Sequence, residues 1–418
     1  MLAIILFTLT IIGFVSGETA YDINTVVELA LRENSSLKRD TIELGALRRK
    51  AHNSRAFAAP SVSIGAGIAK AEDATAAIGE GTATATISAS ASSIAAIRQS
   101  RLAYEACAAN HEASVREVEL AARKAFYAIL YERDYLDYIR STVETAQEQY
   151  ELTMEREREG LIPKLDGLAA KVNLENGKLA LGTEENAYAG ALASLKQSLG
   201  VPQSESMTLR GSLDGLLVSD ISATGAIASP SPSYAALRKK LMLANQERKD
   251  ANVNIWSPVF SCSITAKQPF LSRDTNTESP QFGISGSVAF QISDILPWSA
   301  AREAAFAADD SVRDMEIQLD SQATADSVRK DSLCRDIEHS KRAIETCQMA
   351  VSLADESYRL TMVAFKSGSK DFITLKSATD ALREAKAGMM RERYTLISSI
   401  LDLEYVCGVP FGTLGRIQ

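Results

Sequence analysis

The chain has 418 residues, of which 46% are hydrophobic and 23% charged, and its net charge is −8 at pH 7. This acidic balance excludes nonspecific binding of nucleic acid through a basic surface. The five cysteines are odd in number and lack C-x-x-C spacing, which argues against a disulfide framework and a zinc site. We therefore expect no cofactor and no bound metal.

The first 17 residues contain an apolar run that ends in the small residues Ser16 and Gly17. Such a run is too short to cross a bilayer as a helix and is typical of a signal peptide, although no Lys or Arg precedes it. We interpret 1–17 as a signal peptide and expect export of the chain.

The segment 18–202 shows a fixed order of elements. Hydrophobic periodicity and the positions of Gly and Pro predict a helix, a β-hairpin, a long helix, a tight turn and a returning helix. The predicted elements are helix 22–57, hairpin 61–91, helix 97–159, a tip at Gly160 and a helix that ends at Leu199.

The same order restarts after a segment rich in Ser, Gly and Pro, 203–232, which we interpret as a linker. The second series spans 233–410 and leaves a short tail, 411–418. Its predicted elements are helix 233–256, hairpin 259–293, helix 300–366, a tip at Gly368 and helix 372–407.

The two series are copies of each other. Residues 146–202 align with 354–410 without a gap, 208 positions apart, and 15 of the 57 aligned pairs are identical. An internal repeat of this length indicates a duplication that governs the architecture.

Both long helical patterns place apolar residues at alternating steps of three and four, which is coiled-coil spacing. A helix of roughly 60 residues would be about 90 Å long, far longer than a compact domain needs. This feature alone favours an ordinary antiparallel coiled coil.

The four predicted strands favour a membrane protein instead. Each has about 10 residues that alternate between an apolar face and a small or polar face, as transmembrane β-strands do. Trp256 and Trp298 flank the second hairpin at one end, where an interfacial aromatic belt would lie. Soluble hairpins packed on a helix are the alternative.

Four strands cannot close into a barrel, and an open sheet edge in lipid leaves backbone groups unpaired. Two chains would supply eight strands, and three would supply twelve with room for a lumen. Strands that cross a membrane therefore require a homo-oligomer.

Several motifs recur in the order found in a known family. They are the opening segment YDINTVVELALREN, the prolines Pro60 and Pro258, the glycine tips, and the helix ends LGVP (199–202) and CGVP (407–410). With them, nearly the whole chain resembles the TolC-like outer-membrane efflux proteins, also called outer membrane factors.

The resemblance implies a mainly α fold with transmembrane β-strands. Long antiparallel coiled-coil helices would form an α-barrel in the periplasm, and four strands per chain would contribute to a trimeric 12-strand β-barrel in outer-membrane lipid. The implied function is that of a passive exit duct in a tripartite efflux or type I secretion system. The implied partners are two further copies of the chain, a periplasmic adaptor (membrane fusion) protein and an inner-membrane pump or ABC transporter.

The resemblance also implies that the two tips contact the adaptor, through Glu159, Gly160, Leu161, Ser367, Gly368 and Ser369. Asp166 and Asp371 are candidates for carboxylate rings in a closed entrance, with Lys164 and Lys370 as possible pairing partners across a protomer boundary. Two alternatives are equally consistent with the sequence: the glycines are present only because the chain turns there, and the aspartates are solvated surface residues.

The alternating charges of 155–159 read as solvated helix surface. No G-x-S-x-G, Cys-His set, H-E-x-x-H or nucleotide-binding motif occurs, and the three histidines lack metal-spaced partners. We therefore do not expect an enzyme. A soluble periplasmic coiled-coil scaffold without channel activity is the alternative function.

Overall fold

The computed structural model describes residues 19–54, 59–69, 78–213, 216–218, 230–271 and 279–417. The predicted signal peptide, the loops that join the paired strands and part of the predicted linker lie outside the described residues.

The first repeat supplies two short helices, a hairpin, a very long helix and a returning helix. These elements are β1 (Thr19–Tyr21), α1 (Ile23–Glu33), α2 (Ser35–Asn53), β2 (Ser61–Ala69), β3 (Ile78–Ser90), α3 (Ala91–Arg158) and α4 (Lys164–Ser198).

The connecting segment and the second repeat follow the same plan. Their elements are β4 (Met207–Leu209), β5 (Leu216–Val218), α5 (Pro232–Asn254), β6 (Val259–Leu271), β7 (Gln281–Ala289), a 3-10 helix (Ile292–Ile295), α6 (Ala300–Lys366), α7 (Phe372–Val406) and β8 (Gly415–Ile417). The mainly helical fold with long helices and four longer strands, predicted from the sequence, is confirmed.

The helices α3 and α6, with 68 and 67 residues, are each roughly 100 Å long. Each begins at a serine N-cap: Ser90 Oγ accepts a hydrogen bond from the Ser93 N–H, and Ser299 Oγ accepts one from the Arg302 N–H, both at 3.2 Å. In the described ranges, none of the helices combines the length and the apolar character needed to cross a membrane.

The long helices organise their neighbours at two levels. Next to the strands, α2 packs on α3, α3 on α5, and α5 on α6. Toward the two tips, α4 packs on α3, α3 on α7, and α7 on α6. One edge of the protomer is therefore α6 at both levels, and the opposite edge is α2 or α4.

The opening helix does not run unbroken over 22–57 as its periodicity predicts. It breaks at Asn34, whose side-chain oxygen accepts hydrogen bonds from the backbone N–H groups of Ser36 at 2.9 Å and Leu37 at 3.2 Å. This N-cap starts α2, because an asparagine side chain satisfies amides that the helix itself leaves unpaired. The end of the predicted helix, 55–57, lies outside the described residues.

The fourth strand is shorter than predicted. Strand β7 ends at Ala289, and the chain then forms the 3-10 helix Ile292–Ile295, so Ile292 does not belong to a strand. Ser293 and Asp294 in this segment favour a turn over strand pairing, because serine and aspartate side chains can form hydrogen bonds with the nearby backbone.

The two hairpins join into one antiparallel sheet in the order β2-β3-β6-β7. The pairing of β3 with β6 links the two repeats, and it places every apolar face on the same side. One row across the sheet consists of Val62, Ala85, Ile264 and Ile284, and the adjacent row consists of Ser61, Thr86, Ser263 and Ser285.

Candidate functional site

The first tip reverses the chain between α3 and α4 at Gly160, whose φ is +74°. The N–H of Leu161 donates to the carbonyl of Arg156 at 2.9 Å, and the N–H of Gly160 donates to the carbonyl of Glu157 at 3.0 Å. This pair of bonds is a Schellman motif, which favours glycine because a left-handed residue terminates the helix. Glu159, Gly160 and Leu161 are all exposed.

The second tip has the same backbone. Gly368 has a φ of +80°, the N–H of Ser369 donates to the Ala364 carbonyl at 3.0 Å, and the Gly368 N–H donates to the Phe365 carbonyl at 3.0 Å. Ser367, Gly368 and Ser369 are exposed. Both predicted tips are therefore accessible turns of equivalent geometry.

The side chains beneath the second tip form an apolar cluster. Phe365, Phe372 and Leu375 are each 0% exposed, and Ala170 from the first repeat closes the cluster. The Phe365 and Phe372 rings meet edge to face, with centroids 6.4 Å apart. The second tip therefore packs on a small apolar cluster that is excluded from solvent.

The first tip is polar at the positions that align with these residues, 208 places earlier. Glu157, Lys164 and Gly167 replace Phe365, Phe372 and Leu375. A Cβ atom at Gly167 would lie 1.9 Å from Oε2 of Glu157, so a larger residue there would displace this carboxylate.

Arg156 connects the two tips. Its guanidinium donates to the carbonyl oxygens of Phe365 and Lys366, the latter at 2.7 Å, and stacks 5.3 Å from the centroid of the Phe365 ring. A cation at this place adds a second hydrogen bond to the Phe365 carbonyl, which also accepts from the Gly368 N–H, and it matches the negative end of the α6 dipole. The interpretation of 155–159 as solvated surface is therefore wrong for Arg156 and Glu157, because both pack against a neighbouring element.

Asp371 is the N-cap of α7 and is exposed. Its carboxylate accepts hydrogen bonds from the Thr374 hydroxyl and, at 3.1 Å, from the Thr374 N–H. These bonds, the hydroxyl first, hold the pKa of Asp371 below its ordinary value, and the charge of Lys370 adds a smaller effect.

Asp166 lies in the first turn of α4 and is only 7% exposed. Burial raises its pKa, and the negative charge of Asp371 raises it further. The structure therefore brings the two predicted gate aspartates close enough to interact within one chain, while Lys164 remains exposed. Their role in an entrance gate stays a prediction.

The sheet presents its apolar face openly. Ile64, Phe282 and Ile284 are 84%, 75% and 79% exposed, although hydrophobic side chains of this size are usually covered. Trp256 and Trp298 are also exposed and lie at the end of β6 and β7 next to the helices, where Val259 pairs with Ala289. Strands β2 and β7 form the two edges, and each edge is unpaired within the described part of the chain.

Two further apolar stripes lie on the outer edges of the helical part, one on α4 and one on α6. Their members are between 54% and 73% exposed and recur at steps of three, four and seven. The α4 stripe consists of Leu165, Leu168, Val172 and Leu179, and the α6 stripe consists of Met349, Leu353, Leu360 and Val363. The stripes and the contacts of Arg156 and Phe365 are not evident from the periodicity of the sequence, although the repeat alignment does show the contrast between Glu157 and Phe365.

The chain matches the model of one protein family. The family described as Outer membrane efflux protein matches residues 26–201, which is most of the first repeat. The first repeat is therefore similar to the outer membrane efflux protein family. The family resemblance predicted from the sequence is therefore confirmed.

Solved structures of bacterial outer-membrane proteins share the fold of nearly the whole chain. The Campylobacter jejuni CmeC outer membrane channel has a TM-score of 0.81 at 15% identity, over 92% of this chain and 85% of CmeC. The outer membrane protein VceC of Vibrio cholerae has a TM-score of 0.79 at 14% identity, over 93% of this chain and 96% of VceC.

The Neisseria gonorrhoeae MtrE outer membrane channel, solved in its open state, has a TM-score of 0.76 at 15% identity, over 93% of this chain and 89% of MtrE.

No curated protein sequence matches significantly. At these identities, the solved structures establish the fold of this chain.

Proposed function

We propose that the chain forms a homotrimeric exit duct, with its sheet in the outer membrane and its helices in the periplasm. The observation that carries this proposal is the four-stranded sheet, which exposes one continuous apolar face and has no strand paired at either edge among the described residues. Exposure of this apolar face to water would be unfavourable, whereas lipid tails would cover it in a bilayer.

The open edges require more than one chain, because four strands cannot close a barrel. In lipid, each unpaired backbone group is destabilising by several kcal/mol, so strand β7 of one chain must pair with β2 of the next until the sheet closes. Three chains give twelve strands, enough to surround an aqueous lumen lined by the Ser, Thr and Gly face.

The helical stripes support the same assembly. Leu165 and Val363 each lie five positions from the tip glycine of their own hairpin, Leu168 and Leu360 lie eight, and Leu179 and Met349 lie nineteen. Because the stripes occupy opposite edges of one protomer at matching distances from the tips, α4 of one chain can pack on α6 of its neighbour. This contact closes a ring of helices.

Within this duct, we propose that the two tips contact a periplasmic adaptor and that an inner-membrane pump supplies the energy. The exposed Schellman turns place Glu159, Leu161, Ser367 and Ser369 at the end of the helical part that lies farthest from the sheet. CmeC and MtrE, which share this fold, are outer membrane channels, and this agrees with a conduit.

Cross-linking tests the trimer. In a chain whose native cysteines are replaced by alanine, the double variant Leu168→Cys/Leu360→Cys should form an oxidised ladder that ends at three subunits and collapses on reduction. Each single variant is the matched control and should give no ladder beyond a dimer. A protein that fractionates with soluble proteins, or a ladder that stops at two, would contradict the duct and favour a soluble scaffold.

Substitution at the second tip tests its role in export. Gly368→Pro removes the N–H that binds the Phe365 carbonyl and cannot adopt a φ of +80°. We expect a loss of efflux with an intact trimer, measured as retention of a fluorescent substrate in cells that depend on this chain. Gly388→Ala, a helical glycine with open space around it, is the control and should export normally. Unchanged export in Gly368→Pro would remove the tip from the mechanism.

A further inference from the structure

Only two charged side chains occur in the four strands of the sheet, Glu80 on β3 and Lys267 on β6. All other residues of these strands are apolar, small or neutral and polar. Because these two charges have opposite signs and the rest of the strands is uncharged, we expect the two side chains to interact with each other.

The register places both charges on the Ser and Thr face. Lys267 pairs directly with Thr82, and Glu80 lies two residues before Thr82 on the same strand. A charged residue on the opposite, apolar face would be destabilising in lipid, whereas the polar face tolerates it. In the proposed trimer, both side chains therefore point into the lumen.

The two side chains form an ion pair. Nζ of Lys267 lies 3.2 Å from Oε1 of Glu80, and this carboxylate oxygen has almost no contact with solvent. Among the described residues, Oε1 of Glu80 has no partner that meets hydrogen-bond geometry. The contact with Lys267 is therefore an ion pair and not an aligned hydrogen bond. At roughly 3.3 Å per residue, Lys267 lies about 26 Å along β6 from Val259, near the end of the sheet that faces away from the helices.

We propose that Glu80 and Lys267 set the charge selectivity of the outer part of the duct. This inference rests on the proposed trimer, in which three such pairs form a ring around the lumen. Because each ammonium neutralises the adjacent carboxylate, the ring is electroneutral and admits anionic and cationic solutes alike. Loss of one partner leaves three like charges facing the lumen, which attract counter-ions and repel ions of their own sign.

The test is the reversal potential of purified protein in planar bilayers under a KCl gradient. Relative to the unmodified chain, Lys267→Gln should raise the K⁺ to Cl⁻ permeability ratio, and Glu80→Gln should lower it, each by roughly two-fold to five-fold. The double variant Glu80→Gln/Lys267→Gln is the matched control and should return the ratio to that of the unmodified chain.

The outcomes separate this inference from the proposed function. Stable conductance with the same permeability ratio in both single variants would overturn the role of the pair and leave the duct intact. If Lys267→Gln fails to assemble, Glu80→Gln alone still decides, since the proposal requires its ratio to fall. An unmodified chain that gives no conductance would overturn the duct and this inference with it.

Discussion

The two tips of the chain share one backbone and differ in what lies beneath it. Gly160 and Gly368 both end their helices in Schellman motifs, yet Phe365, Phe372 and Leu375 are replaced by a glutamate, a lysine and a glycine in the first repeat. A turn of this kind depends on one left-handed glycine, so the neighbouring side chains were free to diverge. The second tip consequently rests on buried apolar side chains, whereas the aligned positions of the first tip carry two charged side chains and a glycine.

A similar contrast occurs at the other end of the returning helices. Lys196 and Glu404 align in the repeat and are both buried, although their charges are opposite. Lys196 Nζ donates to the carbonyl of Glu205 at 2.7 Å, whereas the Glu404 carboxylate accepts from the N–H groups of Gly412 at 3.0 Å and Leu414 at 2.7 Å. The loop that follows each helix thus determines which charge can be buried there.

Charge reversal at this buried position should have the largest effect on stability. Glu404→Lys would place an ammonium against two N–H donors, and we expect a loss of up to about 5 kcal/mol. Amide hydrogen exchange of residues 411–415 should report the loss directly. Glu404→Gln keeps one of the two acceptor oxygens and carries no charge, so it is the control. Equal exchange in both variants would show that a positive charge at this position adds nothing to the loss of the carboxylate.

The cluster at the second tip should produce the next largest effect. Phe372→Ala removes a fully buried ring, and we expect about 3 kcal/mol of local destabilisation, the low end of the usual range because a small cluster can relax. Lys164→Ala changes the aligned but exposed position in the first tip and should have an effect of less than about 0.5 kcal/mol. Hydrogen exchange in the two tips measures both, and similar values would remove the distinction between a dry and a polar tip.

The contact between the tips should contribute less. Arg156→Gln removes the guanidinium from the carbonyls of Phe365 and Lys366, and we expect a loss of about 1.5 kcal/mol in the second tip. Protease cleavage after Lys366 should become faster, while cleavage in the first tip should change little. Arg158→Gln, an exposed arginine one position beyond Glu157, is the control. Equal acceleration in both variants would contradict a specific link.

The two aspartates should respond to pH in opposite directions. The lowered pKa of Asp371 means that its stabilising contribution is present above its ordinary value of 3.8 and is lost as the pH falls through the folded value. The raised pKa of Asp166 means that its contribution is present below 3.8 and is lost as the pH rises through the folded value.

Two substitutions test these signs. At pH 7, Asp371→Ala should destabilise the second tip and Asp166→Asn should stabilise the first, and both differences should shrink as the pH falls below about 4. Hydrogen exchange of each tip between pH 3 and pH 7 measures the effect. Differences that do not depend on pH would mean that neither carboxylate contributes through its charge.

Much of the architecture could be predicted from local patterns. The heptad spacing of α3 and α6, the glycines at the tips and the strict alternation in the strands depend on residues close in sequence, and they predicted the individual elements. The fold class was predicted from the resemblance to the TolC-like family, and the solved structures confirm it. The break at Asn34 was missed because a single capping side chain interrupts an otherwise continuous helical pattern.

The amino-acid sequence by itself determined the duplication, the long helices, the tips and the two-sided strands, because helix and strand periods are local properties of the chain. Only the tertiary structure decided which strands from different repeats pair, that Arg156 crosses from one repeat to the other, and that Asp166 is buried while Asp371 is not. These features arise from contacts between residues up to about two hundred positions apart, and hydrophobic periodicity carries no information about such contacts.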